Sequence, residues 1–580
     1  MAKLFCNPLN LEYRYQRFES TGENALFREA ADPTCILFKG TYLLFASMSG
    51  GFWYSDDLHT WHFKETPELP AYEYAPDVRE VNGQVVFCAS KHAPSPLYRS
   101  PDPLHVPFEM VSAPFDYWDP DLFCDDDGRV YLYWGSSTTE PLYACELDPE
   151  TLMPIGQKHV LIGQDTENHG WERKGENNHL GVPKTERDRL VREMCGTTPW
   201  IEGVYMSKHN GTYYLQYAAP GTNFNTYCDG VYTSNSPLGP FTYQSNNPFS
   251  SVPGGYMQGA GHGSTFCDKD GNWWHISTMR ISIHGAFERR LGLFPCDFDA
   301  DGVMHCNQNF ACFPQALPEG AHADIERIEP ALMLLSKNAV AAASSAMNGH
   351  DADLGCNEDC RTWWAASRED DAPWYQIDLG EVRPISAIQV NLADEDVVAP
   401  ALNKEAKKLM REQERFIFIK PQRTEYVLEG SADGETWTAL HDTRGASTDL
   451  THDFVVFDNP IDLRYLRVSG FKVAMGGVAA VSGLRAFGRM ELPLPEPVTE
   501  ARIGRSEDRM NIFLHWKPSD NALGYNVRYG TEPDKLYMSW QVDEGVMLDI
   551  STANAGQHYY LAIDSYNEAG VTAGTVLSVG

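Results

Sequence analysis

Positive charge is scarce in this sequence. Lysine and arginine number 46 against 80 aspartate and glutamate residues, and the formal net charge is −34. Such a surface repels polyanions, so the sequence argues against a nucleic-acid partner and against an anionic membrane surface. Apolar runs long enough to span a bilayer are also absent. We interpret the strong negative charge as a means of staying soluble.

Two further absences concern the cellular compartment. The N-terminal stretch MAKLFCNPLNLEYRYQ lacks the apolar segment and the small-residue cleavage site of a signal peptide. The 13 cysteines are odd in number, and several lie among apolar strand residues, which is typical of buried free thiols. Cys356 and Cys360 are close enough for a metal or a disulfide, but no matching second pair follows. We expect a cytoplasmic protein, or a secreted one if a signal peptide has been removed.

What the sequence does contain is a repeated phrase. A polar residue leads into a strand, the chain turns at glycine, and an aromatic strand returns. Residues 119–135 read DPDLFCDDDGRVYLYWG, and four other stretches follow the same plan. A strand, an Asp-Gly turn and a second strand form a strong hairpin signal. The residues that lead the five phrases are Asp32, Asp77, Asp119, Glu202 and His262.

The spacing of these phrases predicts the fold. The lead residues are separated by 45 (32 to 77), 42 (77 to 119), 83 (119 to 202) and 60 positions (202 to 262). A period in the forties with at least two strands per repeat is typical of propeller blades, and longer gaps indicate blades with insertions. Because 580 residues exceed a single core, further domains are expected. We predict an all-β protein with a five-bladed β-propeller at 1–322, whose first 30 residues close the ring, and β-sandwiches at 323–490 and 491–580.

Four of the phrases resemble glycoside hydrolase family 43. The matching residues stand at the heads of blade strands and are Asp32-Pro33, Asp119-Pro120, Glu202-Gly203 and Gly261-His262. Sucrose-cleaving relatives with a similar propeller carry Asn-Asp-Pro-Asn at the first position, whereas this chain has Ala-Ala-Asp-Pro-Thr at 30–34. The resemblance covers roughly residues 25 to 315. It implies a five-bladed propeller that removes arabinofuranosyl, xylosyl or galactosyl-type units.

The chemistry of such an enzyme requires two carboxyl groups across the scissile bond. One donates a proton to the leaving oxygen, and the other activates water or attacks carbon. Because the inner strands of blades line the propeller axis, we expect Asp32, Asp119 and Glu202 to meet in one pit. Crowded carboxylates raise the pKa of at least one of them, as a general acid requires. The resemblance implies Asp32 as base, Glu202 as acid and Asp119 as the residue that tunes and orients the acid. Taken singly, each could instead cap a turn.

Candidate substrate contacts come from blade heads, aromatic residues and one long loop. The charged segment at 164–195 is predicted to shape the site and to wall off one end of the pit. The candidates are Trp53, Asp77, Trp118, His169, Trp171, Glu172 and Arg289. Alternatives stay open for several of them: core packing for Trp53, a structural role for Asp77, a surface loop with Trp171 as its anchor, and a salt bridge for Arg289. The resemblance places His262 near the axis, where it helps to hold a cation through water; a packed histidine is the alternative.

Residues 339–488 resemble a discoidin-type (coagulation factor C-terminal) domain, a β-sandwich. The matching phrases are TWW at 362–364, WYQIDLG at 374–380, SADGETW at 431–437 and RYLRV at 464–468. An insertion at about 394–415 departs from the pattern, and its helix-like stretch at 402–413 could pack on the propeller. Domains of this class often bind sugars or a structural calcium.

Residues 495–580 resemble a fibronectin type III module. Trp516 lies in an early strand, and residues 525–529 alternate between apolar and polar side chains. We interpret the module as a spacer or packing unit.

The sequence therefore predicts an inverting, exo-acting glycosidase of the α-L-arabinofuranosidase or β-xylosidase type. Its substrates would be terminal arabinofuranosyl, xylosyl or related galactofuranosyl and galactosyl units of plant- or glycan-derived oligosaccharides. The alternative is a non-catalytic carbohydrate-binding scaffold, against which the three intact carboxylates argue. No cofactor is expected apart from a possible structural calcium, and the oligomeric state is left open.

Overall fold

Five four-stranded antiparallel sheets form the N-terminal part of the protein, as seen in a computed structural model. The structure describes residues 3–20, 23–69, 74–90, 94–183, 189, 192–193, 196–281, 284–285, 287–321, 325–413 and 415–580. Within each of the five sheets, strands that are consecutive in the chain are neighbours. This is the arrangement of propeller blades, so the predicted five-bladed β-propeller is confirmed.

The blades follow one another along the chain. Their strands are Ala31–Phe38, Thr41–Ser47, Gly51–Ser55 and His62–Glu65 in blade one; Tyr74–Val81, Gln84–Ser90, Leu97–Ser100 and Glu109–Ser112 in blade two; Asp121–Cys124, Val130–Trp134, Tyr143–Leu147 and Pro154–Val160 in blade three; Glu202–His209, Thr212–Ala219, Cys228–Ser234 and Thr242–Tyr243 in blade four; and Gln258–Cys267, Trp273–Arg280, Arg289–Phe298 and Met304–Cys306 in blade five.

The hydrophobic cores of the propeller lie between neighbouring blades. Phe45 of blade one and Phe87 of blade two share one cluster, and Trp53 of blade one shares another with Trp274 of blade five. The N-terminal segment adds Tyr13 and its neighbours to the cluster between blades five and one. Leu4–Phe5 also pairs with Gln315–Ala316 beyond the last blade. The entry segment therefore closes the ring, as predicted.

A three-stranded sheet joins the propeller to the next domain. Arg14–Ser20 and Glu23–Glu29 form a hairpin, and Arg415–Phe418 of the second domain pairs with the first of these strands. The helix Lys404–Gln413 leads directly into that third strand. The insertion in the discoidin-type sequence therefore packs on the propeller, as predicted.

The second domain is an eight-stranded sheet around one core. Its strands are Met333–Leu334, Val340–Ala343, Trp364–Ala365, Tyr375–Leu392, Glu425–Ser431, Thr438–Asp442, His452–Lys472 and Ala480–Gly488. The long strand Tyr375–Leu392 loses register with its partner between Asp378 and Arg383. Its first half pairs with Val340–Ala343 and its second half with Ala480–Gly488, so the sheet covers both sides of the core.

The third module has two sheets that share a core around Trp516. One comprises Ala501–Arg505, Ile512–Trp516 and Met547–Ile550; the other comprises Gly524–Gly530, Met538–Val542, Tyr559–Asn567, Gly570–Thr572 and Leu577–Val579. Two facing sheets confirm a β-sandwich, whereas its assignment to the fibronectin type III class stays a prediction.

Helices are short throughout the described ranges. Besides Lys404–Gln413, single 3-10 turns occupy Gly170–Glu172, Glu176–Asn178, Ala352–Gly355 and Ala474–Gly476. Within these same ranges, no helix combines the length and the apolar character that crossing a membrane requires. The twelve cysteines that the structure describes are all free, and most are buried.

Candidate active site

The blade heads have an unusual backbone at the propeller axis. Asp32, Asp119 and His262 have φ angles of 50°, 48° and 48°, in the left-handed region that residues other than glycine rarely adopt. Side-chain hydroxyls hold two of these turns. The backbone N–H of Asp32 donates to Thr278 Oγ1 at 2.8 Å, and that of Asp119 donates to Ser90 Oγ at 2.8 Å. Such strain persists only where the surroundings fix it, and it is concentrated at functional sites.

Blade two corrects the sequence prediction by two residues. Ala75 has φ 48°, and its N–H donates to Ser47 Oγ at 2.8 Å, so Ala75 rather than Asp77 is the counterpart of Asp32. Asp77 is buried and accepts hydrogen bonds from the Leu122 N–H at 2.7 Å and from Thr34 Oγ1 at 2.9 Å. Asp77 therefore ties three blades together and is not a substrate contact in this structure.

The Asp32 carboxylate lies among donors and positive charge. Its Oδ2 accepts a hydrogen bond from Ser47 Oγ at 2.7 Å. Its Oδ1 lies 3.2 Å from Arg289 Nη1 and 3.4 Å from His262 Nδ1. Burial by itself would raise the pKa of Asp32, but the charges of Arg289 and His262 outweigh it and the pKa lies below its ordinary value. Asp32 is therefore held as a carboxylate, the form that a base needs.

The Glu202 carboxyl group has the opposite environment. Its oxygens accept from Tyr227 Oη at 2.8 Å and from Ser136 Oγ at 3.1 Å. Burial, followed by the negative charge of Asp119, raises the pKa of Glu202 to about 7. Burial also raises the pKa of Asp119, and the nearby Asp32 charge adds to it. Glu202 can therefore hold a proton near neutral pH, the form that an acid needs.

His262 lies between the carboxylates. Its Nδ1 is 3.4 Å from Asp32 Oδ1 and 3.9 Å from Asp119 Oδ2. Burial would lower the pKa of His262, but the charges of Asp32, Asp119 and Glu202 raise it above its ordinary value. Gly203 makes room for the ring, because a Cβ at this position, where φ is +61°, would meet the imidazole at 2.6 Å.

The described residues around His262 do not form a set of direct metal ligands. Among the residues described, no group of three or more His, Cys, Asp or Glu side chains could hold a metal ion. The adjacent Asp229 already accepts from the N–H groups of His262 and Gly263 at 2.7 and 3.0 Å, and its Oδ2 lies 3.1 Å from His275 Nε2. These residues do not fit a directly bound calcium, and we derive no step through one. A cation held through water stays a prediction.

Arg289 forms the salt bridge that the sequence left as an alternative. Its Nη2 lies 2.6 Å from Glu29 Oε1, and its Nη1 faces Asp32. The guanidinium is buried and stacks beside two rings, with centroid distances of 5.5 Å to Tyr74 and 5.6 Å to Phe287. Arg289 therefore orients Asp32, while Phe287, 41% exposed, is available to a ligand.

Trp53 belongs to the core. It is 1% exposed and packs against Tyr13 and Phe63, with ring centroids 6.2 and 5.4 Å away. The predicted stacking of Trp53 on a sugar is thus corrected, because no face of its ring is open.

The long loop is also corrected where the structure describes it. Trp171 is fully buried and donates from Nε1 to Tyr243 Oη at 2.8 Å. Glu172 accepts from Tyr217 Oη at 2.6 Å and lies 2.7 Å from His169 Nδ1. His169, Trp171 and Glu172 therefore brace blade four rather than contact substrate. Residues 184–188, 190–191 and 194–195 of this loop lie outside the described residues.

The same loop contacts the third module. The Gly170 N–H donates to the Ala553 carbonyl at 3.1 Å, and Arg173 donates to Asn511 Oδ1 at 2.8 Å. The loop was predicted to wall off the pit, whereas its described part joins two domains. Within the loop, Arg173 and His179 contact the third module, whereas Trp171 and Glu172 contact blade four.

Two tryptophans lie beside the carboxylates. Trp118 directly precedes Asp119 and is half-buried, so it remains a candidate substrate contact. Trp200, also half-buried, donates from Nε1 to Ser136 Oγ at 2.7 Å, and Ser136 Oγ in turn contacts Glu202. The sequence analysis missed Trp200.

Other site residues were missed as well: Glu29, Ser47, Tyr74, Ser90, Ser136, Tyr227, Thr278 and Phe287. The serines carried a signal, because Ser47 and Ser90 each end the second strand of a blade in the phrase Ala-Ser. Glu29 carried none, because only the closed ring brings it to Arg289 of blade five. Tyr227 directly precedes the third strand of blade four, the blade that Glu202 leads, and has no recognisable phrase of its own.

Comparisons with known proteins match two families to this chain. Residues 26–304 match the family described as Glycosyl hydrolases family 43, and residues 346–468 match the family described as NedA-like, galactose-binding domain. A curated relative, "Beta-D-galactofuranosidase xynD" of Aspergillus niger, is 32% identical over 175 residues, which are 29% of this chain and 38% of that protein. The chain thus matches well under half the length of this relative.

Solved structures are similar at low sequence identity. "Bacteroides ovatus Xyloglucan PUL GH43B" is 14% identical, with a TM-score of 0.40 over 99% of this chain and 98% of that one. An "Exo-1,5-alpha-L-arabinanase" from a bovine ruminal metagenomic library is 21% identical, with a TM-score of 0.35 over 48% of this chain and 97% of that one.

Proposed function

We propose that this protein is an inverting, exo-acting glycosidase, because residues 26–304 match the family described as Glycosyl hydrolases family 43. Its substrates are terminal arabinofuranosyl, xylosyl or galactofuranosyl units of oligosaccharides. The galactose-binding domain that follows supports a carbohydrate substrate. The printed name of the Aspergillus niger relative supports including galactofuranosides among the candidates.

The observation that carries the proposal is the separation of two carboxyl groups by their environments. Arg289 and His262 lower the pKa of Asp32, whereas burial and the Asp119 charge raise that of Glu202 to about 7. Over a range of pH that includes weakly acidic conditions, Asp32 is thus ionised while Glu202 is protonated. A pair of titratable groups with divergent pKa values in one pit is the arrangement that acid–base hydrolysis needs.

The proposed reaction is a single displacement. Glu202 gives its proton to the glycosidic oxygen as the bond from that oxygen to the anomeric carbon breaks. A water molecule attacks the anomeric carbon from the opposite face and passes a proton to Asp32. The water oxygen becomes the anomeric hydroxyl, so the configuration inverts. Asp119 keeps the pKa of Glu202 high, and Ser47 and Arg289 keep the Asp32 carboxylate oriented.

Exo-action is part of the proposal and rests on the crowding around the carboxylates. Trp118 adjoins Asp119 in the chain, Trp200 donates to Ser136 beside Glu202, and the Phe287 ring lies beside Arg289, while Asp32 and Asp119 are nearly buried. We expect a site crowded in this way to suit the end of a chain better than its middle. Product analysis on linear arabinan tests it: monosaccharide as the first product supports exo-action, and early oligomers of mixed length contradict it.

A panel of aryl glycosides tests the function. The purified chain is assayed on aryl α-L-arabinofuranoside, β-xyloside, β-galactofuranoside and β-galactoside. Asp32→Asn is expected to abolish the activity on whichever substrate is cleaved, and Asp127→Asn, which changes an exposed turn carboxylate, serves as the matched control. No turnover on any glycoside, together with retained sugar binding, would instead identify a carbohydrate-binding scaffold.

A further inference from the structure

Arg415 belongs to the second domain but lies beside the glycosidase pit. It starts the strand Arg415–Phe418, which pairs with the N-terminal hairpin of the propeller. Its side chain is 6% exposed, although it stands in an insertion whose preceding helix is largely exposed. A buried arginine at this place requires an explanation, because burying a guanidinium is costly unless its neighbours compensate.

Among the described residues, the side-chain partners of Arg415 belong to the N-terminal hairpin and the first two blades. Its Nη1 lies 3.3 Å from Gln16 Oε1 and 2.7 Å from Met48 Sδ. Its guanidinium stacks over the rings of Tyr74 and Phe18, with centroid distances of 4.7 and 5.2 Å. Met48 follows the second strand of blade one, and Tyr74 directly precedes Ala75 at the head of blade two. Both therefore lie at the face of the propeller that carries the carboxylates.

Two routes connect Arg415 to Asp32. In the first, Gln16 contacts both Arg415 and Glu29, and Glu29 holds Arg289 at 2.6 Å. In the second, the Tyr74 ring contacts the guanidinium groups of both Arg415 and Arg289, which lie 4.7 and 5.5 Å from its centroid. Both routes end at Arg289, whose Nη1 faces the Asp32 carboxylate.

A simple attachment of the two domains does not account for Arg415. Arg28 already serves that purpose, because its guanidinium is fully buried and pairs with Asp394 at 3.1 Å and with Asp449 at 2.6 Å, both in the second domain. Of the partners of Arg415, in contrast, Gln16 contacts Glu29, which holds Arg289 beside Asp32, and Tyr74 contacts Arg289 itself.

We propose that Arg415 is a positioning residue of the glycosidase site, through which the second domain fixes Tyr74 and Arg289 and so orients Asp32. The inference rests on the proposed function and extends it. The galactose-binding domain then has a task besides any binding of sugar: its inserted strand holds Arg415 against the residues that position Arg289.

The test compares Arg415→Ala, Arg415→Lys and Arg411→Ala in the full chain. Arg411 lies four residues earlier in the same insertion and is exposed, which makes it the matched control. Arg415→Ala is expected to lower kcat about tenfold with KM within about threefold, because a misplaced base affects the chemical step more than binding. Arg415→Lys keeps the charge and is expected to recover part of the loss, and Arg411→Ala is expected to match the unchanged protein.

The pH profile separates positioning from a loss of folded protein. The charged and titratable groups that face Asp32 are Arg289, His262, Glu29, Asp119, Glu202 and Tyr227. If Arg289 is loosened, Asp32 loses part of its positive neighbourhood, and the acid limb of kcat/KM moves to higher pH by about half a unit or more. A smaller fraction of folded enzyme would lower the rate without moving the limb.

A second variant protects the test against misfolding. Tyr74→Leu removes the ring that both arginines contact but leaves Arg415 in place, and it is expected to shift the acid limb in the same direction. If the native enzyme is active and Arg415→Ala leaves both kcat and the acid limb unchanged, the role proposed for Arg415 is wrong, whereas the proposed function stands. Where Arg415→Ala does not fold, the same result with Tyr74→Leu leads to the same conclusion. A native chain that is inactive on every glycoside of the panel would overturn the proposed function and this inference together.

Discussion

The hydrogen bond from Tyr227 to Glu202 allows the proposed acid to be tested by two opposite perturbations. Tyr227 is 1% exposed, and its Oη donates to Glu202 Oε1 at 2.8 Å. This bond stabilises the carboxylate and therefore lowers the pKa of Glu202 against the effect of burial. Tyr227→Phe removes the donor with little change in volume. Asp119→Asn removes the negative charge that raises the same pKa.

The magnitudes follow from the strength of the two interactions. A hydrogen bond to a charged group contributes about 1.5–3 kcal/mol, and one pKa unit corresponds to about 1.4 kcal/mol. Tyr227→Phe is therefore expected to raise the pKa of Glu202 by about one to two units. Loss of a neighbouring like charge is expected to lower it by about one unit in Asp119→Asn. Because the acid must be protonated, activity falls as the pH rises through this pKa, so the alkaline limb of the profile moves up in the first variant and down in the second.

The assay is kcat/KM between pH 4 and 10 on an aryl glycoside with a poor leaving group, which depends on proton donation. Tyr214→Phe is the control, because its hydroxyl bonds to the Gly302 carbonyl at the outer side of blades four and five. If both site variants moved the alkaline limb in the same direction, or if neither moved it, Glu202 would not be the group that titrates there.

Four further predictions follow from the structure. Trp53→Ala is expected to destabilise the fold by about 3–5 kcal/mol with KM unchanged in the folded fraction, whereas Trp118→Ala should raise KM with little change in Tm; thermal unfolding and steady-state kinetics separate the two. Glu202→Gln is expected to raise Tm above pH 7 but not below pH 4.5. Folding raises the pKa of this carboxyl group from 4.5 to about 7, so the group destabilises the fold progressively as the pH rises through that interval. Equal Tm differences at both pH values would contradict this prediction. Thiol titration of protein denatured under nitrogen should find most of the 13 cysteines free, as the twelve described ones are, and several stable disulfides would contradict the expected cytoplasmic compartment. Proton NMR of the first sugar released should show inverted configuration, and a retained anomer would reject the roles given to Asp32 and Glu202.

The propeller was predictable because its repeats are local. Each blade places a hairpin with a glycine turn every forty or more residues, and that period is visible in the sequence without any knowledge of contacts. The same locality identified Asp32, Asp119 and Glu202 as blade heads. It failed at blade two, where the acidic Asp77 was chosen over Ala75. The structural marker is the left-handed residue before proline, which Ala75 shares with Asp32 and Asp119.

Residues brought together from distant segments were not predictable. The phrase around Trp171 was interpreted as a substrate-binding loop because it combines an aromatic residue with charges on a long connection. That combination is equally typical of a domain interface, and the third module, more than 300 residues later, decides between them. Glu29 reaches Arg289 of blade five only after the ring has closed, so no spacing in the sequence connects this pair.

The groups assigned to the chemistry are held at a cost to the fold. A left-handed backbone costs about 1 kcal/mol or more at each of Asp32, Asp119 and His262. A Glu202 pKa near 7 corresponds to about 3 kcal/mol of destabilisation once the carboxyl is ionised. All of these costs disappear if the pit opens, so the surrounding structure must oppose opening.

The opposing interactions come partly from outside the propeller. Ser47 and Ser90 fix the blade heads from within the ring. The second domain adds the strand Arg415–Phe418, which pairs with the N-terminal hairpin, and the two carboxylates that form buried ion pairs with Arg28. A sugar-binding module on a flexible linker would supply none of this rigidity. Strand pairing and buried ion pairs between the first two domains are therefore what a strained, charge-crowded pit requires from its neighbour, whether or not that neighbour also binds a sugar.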